Sequence, residues 1–278
     1  SLSLEQAVQQ VWNLDVNRLT PGDDYILNVQ KGKKPYLKED GAGDPLFTRV
    51  DPSVWKRPTY SHFRQLLDNY IAETGHAETV TDAERDEVRN LLNAIYETAP
   101  MQFCHKYCHA IQPDTVPQDR TGFLKLLQTI WFDVYRREGT TDSSGFEHVF
   151  VGEVKNGEVS GLHNWIQMYL EEQKGNLDYR GYIKPRGKGD SLHDDNDYIL
   201  SLQFSWKGVE KFVGTSFIGV SPEFEMALYT MCFLVGAEEN PVTLDTGTDT
   251  FELVIKCYSM AQGKIGTTFP EVTSHYEE

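Results

Sequence analysis

Hydrophobic positions recur along this chain with two different periods. The first half keeps a helical spacing. Leu4, Val8, Val11 and Trp12 share one face of a helix that Ser3 and Gln6 open as a capping box. Thr20-Pro21-Gly22-Asp23-Asp24 closes it in a turn, and residues 31–58, rich in Gly, Pro and charge, predict a long irregular segment. A second stripe starts at Ser61 and runs through Phe63, Leu66, Leu67, Tyr70 and Ile71. Thr81-Asp82-Ala83-Glu84 forms another capping box ahead of Val88, Leu91, Leu92 and Ile95. Pro100 suits a helix start, and Phe123, Leu127, Ile130, Trp131 and Val134 mark one more helix.

The period changes across Glu138-Gly139-Thr140-Thr141-Asp142-Ser143-Ser144-Gly145, a small, polar boundary. Beyond it Phe146, His148 and Phe150 alternate with Glu147, Val149 and Val151, which predicts a strand. Lys155-Asn156-Gly157 supplies a turn, because Asn-Gly accepts positive φ cheaply. Glu158-Val159-Ser160 then runs back, and a helix follows over residues 161–172. Tyr198, Leu200, Leu202, Phe204 and Trp206 alternate as a strand with one buried face; Lys207-Gly208 turns into a strand over residues 212–220. Ser221 caps a helix with Pro222 in its first turn, followed by a strand over residues 253–258 and a closing segment near residues 266–272. The pattern predicts an α+β fold: a helical part over residues 1–140 and a mainly antiparallel β part over residues 141–278.

Composition adds a constraint on function. The chain has 278 residues and a net charge of −16, which opposes bulk attraction to nucleic acid. Two local basic clusters run against that balance: Lys31, Lys33 and Lys34, and Arg180, Lys184, Arg186 and Lys188. Each has the ordinary reading of a solvated loop. No apolar run approaches the roughly 20 residues of a membrane helix, so no membrane partner is expected. Ser1–Glu5 lack the basic start and apolar core of a signal peptide. A cytoplasmic or nuclear location and a secreted form with a trimmed leader both stay open. Cys104, Cys108, Cys232 and Cys257 are too scattered for a disulfide scaffold.

The predicted hairpin brings His148 and His163 near each other, and two imidazoles facing one cavity suit paired proton transfer. In a regular strand Glu147 and Glu153 would lie on the face opposite His148. Cys104-His105-Lys106-Tyr107-Cys108-His109 offers pairs one helical turn apart, but four such ligands spread too far around one helix for a zinc tetrahedron. His193-Asp194-Asp195-Asn196-Asp197 offers hard oxygens for Ca²⁺ or Mn²⁺, yet lacks the glycine and terminal glutamate of an EF-hand; a solvated acidic loop is the plainer reading.

Phe146-Glu147-His148-Val149-Phe150-Val151-Gly152-Glu153, followed by Leu162-His163-Asn164-Trp165-Ile166, closely resembles the EndoU family of uridylate-specific endoribonucleases. The resemblance continues through Gly214–Gly219, Ser221–Glu225 and Gly266–Pro270. It implies cleavage of single-stranded, U-rich RNA by attack of a ribose 2′-OH, with His163 as general base, His148 as general acid and Lys211 as electrostatic stabiliser. Lys207 is a nearby competitor for the last role. The family pattern includes Glu147 and Glu153. It also implies that Thr267 contacts the base and that Phe269, where the family commonly has Tyr, stacks on it; Ser216 is a weaker candidate for a base or phosphate contact. Mn²⁺ or Ca²⁺ is implied as an activator rather than a catalytic ligand, with no metal ligands assignable, and the protein is expected to be a monomer. A non-cleaving RNA-binding protein on the same fold is the alternative.

Overall fold

The computed structural model describes residues 1–70, 82–137, 141–185, 187, 189–261 and 263–278. Ile71, Thr81, Glu138–Thr140, Arg186 and Lys188, which entered the sequence reading, lie outside the described residues. The chain opens with α1 (Leu4–Asn13), β1 (Tyr25–Leu27), β2 (Gly32–Lys33) and β3 (Phe47–Val50). Then come α2 (Pro58–Leu67), α3 (Asp82–Tyr96), α4 (Ala99–Ile111) and α5 (Arg120–Phe132). After β4 (Tyr135–Arg137) and β5 (Thr141–Ser143), a π-helical turn covers Glu147–Val151. The remainder is β6 (Glu153–Lys155), β7 (Glu158–Ser160), α6 (Trp165–Gln173), β8 (Leu177–Ile183), β9 (Ile199–Trp206), β10 (Val209–Phe217), α7 (Pro222–Val235), β11 (Glu239–Asp245), β12 (Asp249–Met260) and β13 (Lys264–Glu277).

The caps form as their residues dictate. The Ser3 hydroxyl accepts from the Gln6 amide at 3.2 Å, and the Gln6 side chain accepts from the Ser3 amide at 2.9 Å. The Ser221 hydroxyl accepts from the Phe224 amide at 3.1 Å and starts α7. The second helical stripe begins earlier than predicted, at Pro58, because proline is pre-organised for a first turn. The segment over residues 31–58 is less irregular than its composition implies: it holds β2, β3 and a short 3₁₀ turn, Pro52–Lys56.

Two antiparallel arrays carry the second half. One has the order β10-β9-β8-β2, with β2 added in parallel at the edge; the other is β11-β12-β13. β9 is buried on both faces rather than one, since Ile199 and Gln203 are enclosed along with Leu200, Leu202, Phe204 and Trp206. The core runs without interruption from Ala7 to Ile265, with α1 and α4 packing on α7. The Trp131 indole donates to the Thr230 hydroxyl at 3.0 Å across the two halves of the sequence. The four cysteines are buried free thiols. No helix among the described residues is long and apolar enough to cross a membrane.

The strand predicted over residues 146–151 is not formed. The Ser144 hydroxyl accepts from the Glu147 amide at 3.2 Å, and the Gly152 amide closes a wide turn onto the Glu147 carbonyl at 2.8 Å. Phe146 packs against Phe63, Tyr70 and Phe132, and Phe150 against Phe63, Trp131 and Tyr229. All five residues of the turn are buried, so no solvent face marks its period, and a short enclosed helix reads like a strand. Gly152, at φ +90°, ends the turn where a Cβ would stand 2.8 Å from the Leu162 Cβ.

Phe150 is therefore the anchor of this turn. Phe150→Ala should lower the unfolding free energy by about 3–5 kcal/mol, the cost of an aromatic-sized cavity; urea denaturation checks this, and a loss below 1 kcal/mol would contradict the packing described.

Candidate active site

The β6–β7 hairpin turns at Asn156 (φ 50°) and Gly157 (φ +73°), a pair of positive φ angles that matches the strand twist. The chain then crosses back over the π turn. The Leu162 amide donates to the His148 carbonyl at 3.2 Å, and the His163 amide to the Val149 carbonyl at 2.8 Å. Gly161 makes this crossing possible: its φ is +73°, and a Cβ there would lie 1.8 Å from the His148 carbonyl oxygen. Adjacent backbone thus fixes two histidines beside each other, both buried.

His148 is held at both ring nitrogens. Nδ1 lies 3.1 Å from Glu153 Oε2, and Nε2 lies 3.0 Å from the Thr267 hydroxyl. The other Glu153 oxygen accepts from the Ser143 hydroxyl. This corrects the expectation that Glu153 faces away from His148: the π turn rotates the ring towards β6, where a strand would have opposed them. With Nδ1 directed at the Glu153 carboxyl group, that nitrogen carries a ring proton, and Nε2 faces the Thr267 hydroxyl. Glu147 is buried in the same turn, and no strand places it opposite His148.

His163 has a different environment. Its Nδ1 faces the Thr215 carbonyl at 3.4 Å, which can only accept, so the proton sits on Nδ1 and Nε2 carries the free lone pair. Burial, followed by the positive charges of Lys211 and His148, pushes its pKa well below 6.5; the Thr215 carbonyl opposes this weakly. Phe269 stacks on the ring with centroids 4.7 Å apart and planes at 18°.

Lys211 reaches the pair from β10, its ammonium donating to the Gly161 carbonyl. The β9 register jumps from Lys211↔Phe204 to Gly214↔Leu202, so Phe212 and Val213 form a bulge. Burial lowers the Lys211 pKa to about 8, which leaves it largely protonated at neutral pH. Lys207 instead lies over the Trp206 ring at 5.3 Å, on an exposed turn. Thr267 stands at His148 and Phe269 at His163. Ser216 is buried on the strand face that Gly214 shares, where a Gly214 Cβ would approach the Lys211 side chain.

Thr215, Ser143 and Gly161 escaped the sequence reading. Thr215 acts through a carbonyl, which has no residue signature. Gly161 was detectable only as a glycine between a strand and a histidine.

The other candidate ligand groups are otherwise occupied. His105 uses Nε2 on the Pro117 carbonyl at 2.7 Å and Nδ1 on the Tyr96 hydroxyl at 2.9 Å, and it stacks on Phe123 at 4.0 Å. The acidic loop is not solvated at its end: Asp197 is buried. His193, Asp197 and His275 form the one cluster of potential ligands among the described residues. The Ser201 amide donates to His193 Nε2 at 3.1 Å, so the His193 proton sits on Nδ1 and points at Asp197 Oδ2, 2.9 Å away. A metal at Nδ1 would have to displace that proton while Nε2 still accepts, so the cluster does not fit a cation as built. Burial pushes the His193 pKa down to about 3 and the Asp197 pKa up to about 10, leaving a neutral pair.

The family model described as Endoribonuclease XendoU matches residues 3–270. Uridylate-specific endoribonuclease B of Danio rerio is 44% identical over 275 residues, covering 96% of this chain and 95% of that protein. Poly(U)-specific endoribonuclease-B of Xenopus laevis is 42% identical, covering 98% of this chain and 94% of that protein. A solved structure titled as XendoU, a splicing independent snoRNA processing endoribonuclease, superposes with a TM-score of 0.84 at 40% identity, covering 100% of this chain and 99% of that one.

The environment of His163 makes a direct prediction. Its imidazole should remain neutral as the pH falls well below 6.5, because the folded site disfavours the cation. The unfolded chain takes up that proton near its ordinary pKa, about 6.5, so His163 costs stability progressively as pH falls below that value. Histidine NMR, assigned by comparison with His163→Gln, should show the low folded-state pKa; titration at or above 6.5 would contradict the site as described.

Proposed function

The chain belongs to the XendoU family of endoribonucleases, and from that premise we propose that it cleaves single-stranded RNA at uridylates by transphosphorylation. The observation that carries this reading is the unequal pair: His163 is kept neutral while His148 is backed by a carboxyl group, with an ammonium ion beside them. A neutral imidazole beside one backed by a carboxyl group is an arrangement that suits concerted acid–base chemistry.

In this mechanism His163 Nε2 takes the proton of the uridine 2′-OH. The 2′-oxygen attacks the adjacent phosphorus, and the bond from phosphorus to the 5′-oxygen of the next nucleotide breaks. His148 Nε2 gives its proton to that leaving oxygen, and Glu153 holds the imidazolium by its other nitrogen. Lys211 neutralises the charge that grows on the phosphorane oxygens. The products are a 2′,3′-cyclic phosphate and a 5′-hydroxyl, and no water is consumed. Phe269 offers a ring face to the uracil and Thr267 a hydroxyl at the acid side. One chain holds every group the reaction uses, in keeping with a monomer.

A divalent cation, Mn²⁺ or Ca²⁺, would serve only as an activator, offsetting the repulsion between a polyanionic substrate and a chain of net charge −16. The proton transfers stay with the side chains.

His148→Ala and His163→Ala should each lower kcat by about 10²–10⁴-fold with a native circular dichroism spectrum; near-unchanged turnover in either would refute the assignment. For kcat/KM, the acidic limb reports protonation of His163 and should lie below pH 6.5. The alkaline limb reports loss of the proton from the acid, and the macroscopic values belong to the coupled pair. Mass spectrometry of products from a single-uridine RNA, with Mn²⁺ or with EDTA, should show the same cyclic phosphate end at different rates. A 3′-hydroxyl product would overturn the mechanism, and binding without cleavage would favour a non-cleaving role.

A further inference from the structure

A half-open cleft of about 490 Å³ begins at Thr215, the residue whose carbonyl faces His163. Thr215 also bonds Ser201, a second lining residue, through its hydroxyl at 3.0 Å. Glu271 and Thr273 continue it along β13, beginning two residues beyond Phe269. Neither histidine lines the cleft, and neither do Thr267 and Phe269; Thr215 and Glu271 are its links to the site. The cleft is far larger than one pyrimidine ring requires, and exposed rings with lysines beside them stand at its outer rim, next to Glu39, Asp40 and Glu210.

The rim is formed by the β10 bulge and the loop after β2. Val213 and Pro35 line the cleft, and Val213 is 49% exposed. Phe212 is 40% exposed, with the Lys38 ammonium 5.1 Å from its ring centroid. Tyr36 is 71% exposed, with the Lys34 ammonium 5.9 Å from its centroid. The loop is tied down: Gln203 donates to the Pro35 carbonyl at 2.9 Å and Arg180 to the Lys38 carbonyl at 2.8 Å. Lys184, whose amide donates to the Lys33 carbonyl at 2.9 Å, is exposed at the cleft beside that loop. The acids of the cleft are Asp190 and Glu271, and Glu271 lies 3.6 Å from the Lys256 ammonium.

Two exposed rings, each with its own lysine, offer stacking faces with cations beside them. We propose that this cleft and rim bind the nucleotides on the 5′ side of the scissile uridine. Their bases stack on Phe212 and Tyr36, and Lys34, Lys38 and Lys184 meet their phosphates. The polarity rests on the mechanism above. His163 acts on the uridine's own 2′-OH, so the strand entering from its side is the 5′ strand. The strand leaving past His148 and Thr267 is the 3′ strand. The bulge that aims Lys211 inwards is therefore the same feature that exposes Phe212 outwards.

The test compares a uridine dinucleotide, the same step extended by several nucleotides at its 5′ end, and the same step extended at its 3′ end. In Phe212→Ala and Tyr36→Ala, the ratio of kcat/KM for the 5′-extended RNA to that for the dinucleotide should fall about fivefold or more, through KM, as loss of one stacked base implies. Tyr36→Trp keeps a ring face and should retain the ratio. A ratio equal to that of the unsubstituted protein, or a loss confined to the 3′-extended RNA, would overturn the proposal. Affinity for a non-cleavable 5′-extended RNA carrying 2′-deoxyuridine, read by fluorescence anisotropy, should fall in the same variants. That readout stands even where the unsubstituted protein fails to cleave the dinucleotide, a result that would instead count against the catalytic reading.

Discussion

The site depends on one backbone crossing. Leu162 and His163 donate to the carbonyls of His148 and Val149, and only a glycine at 161 lets the two strands of chain approach that closely. Everything else is arranged around this contact. The π turn beneath it is locked by aromatic packing from Phe63, Phe132 and Trp131. The Gly161 carbonyl at its edge receives the Lys211 ammonium. A crossing built from main-chain bonds fixes the spacing of the histidines more tightly than side-chain packing alone, because each bond constrains two rigid peptide units.

Electrostatics then separates the roles of two chemically identical side chains. The neighbours of His148 accept protons or share them; the neighbours of His163 are a carbonyl, an aromatic ring and a cation. Burial amplifies the difference, since low polarity penalises any charge that lacks a partner. The same principle acts at His193 and Asp197, where burial disfavours the charge on both.

The negative net charge is reconciled locally. RNA need not be attracted by the whole surface if the site carries a buried lysine and its approach carries ring–lysine pairs. Lys211, Lys38 and Lys34 supply these within a short distance along the β10 bulge and the loop beside it.

Much of the fold was legible in the sequence because its signals are local. Ser3 and Gln6, Ser221 and Pro222, and Asn156-Gly157 each specify a cap or a turn through bonds within a few residues. The motif around His148 and His163, with Lys211 behind it, pointed to the family and to the residues that the fold does bring together. The turn at residues 147–151 was misread because burial on all sides erases the periodicity that separates strand from helix. Its consequence, the Glu153–His148 contact, was hidden with it. Thr215 and Ser143 were invisible because one acts through its main chain and the other through a partner that had been assigned to the wrong face. The sequence alone determined which groups were available and how far apart they lay along the chain. The tertiary structure decided which neighbours each histidine has, because burial and the groups that meet the rings arrive from distant strands.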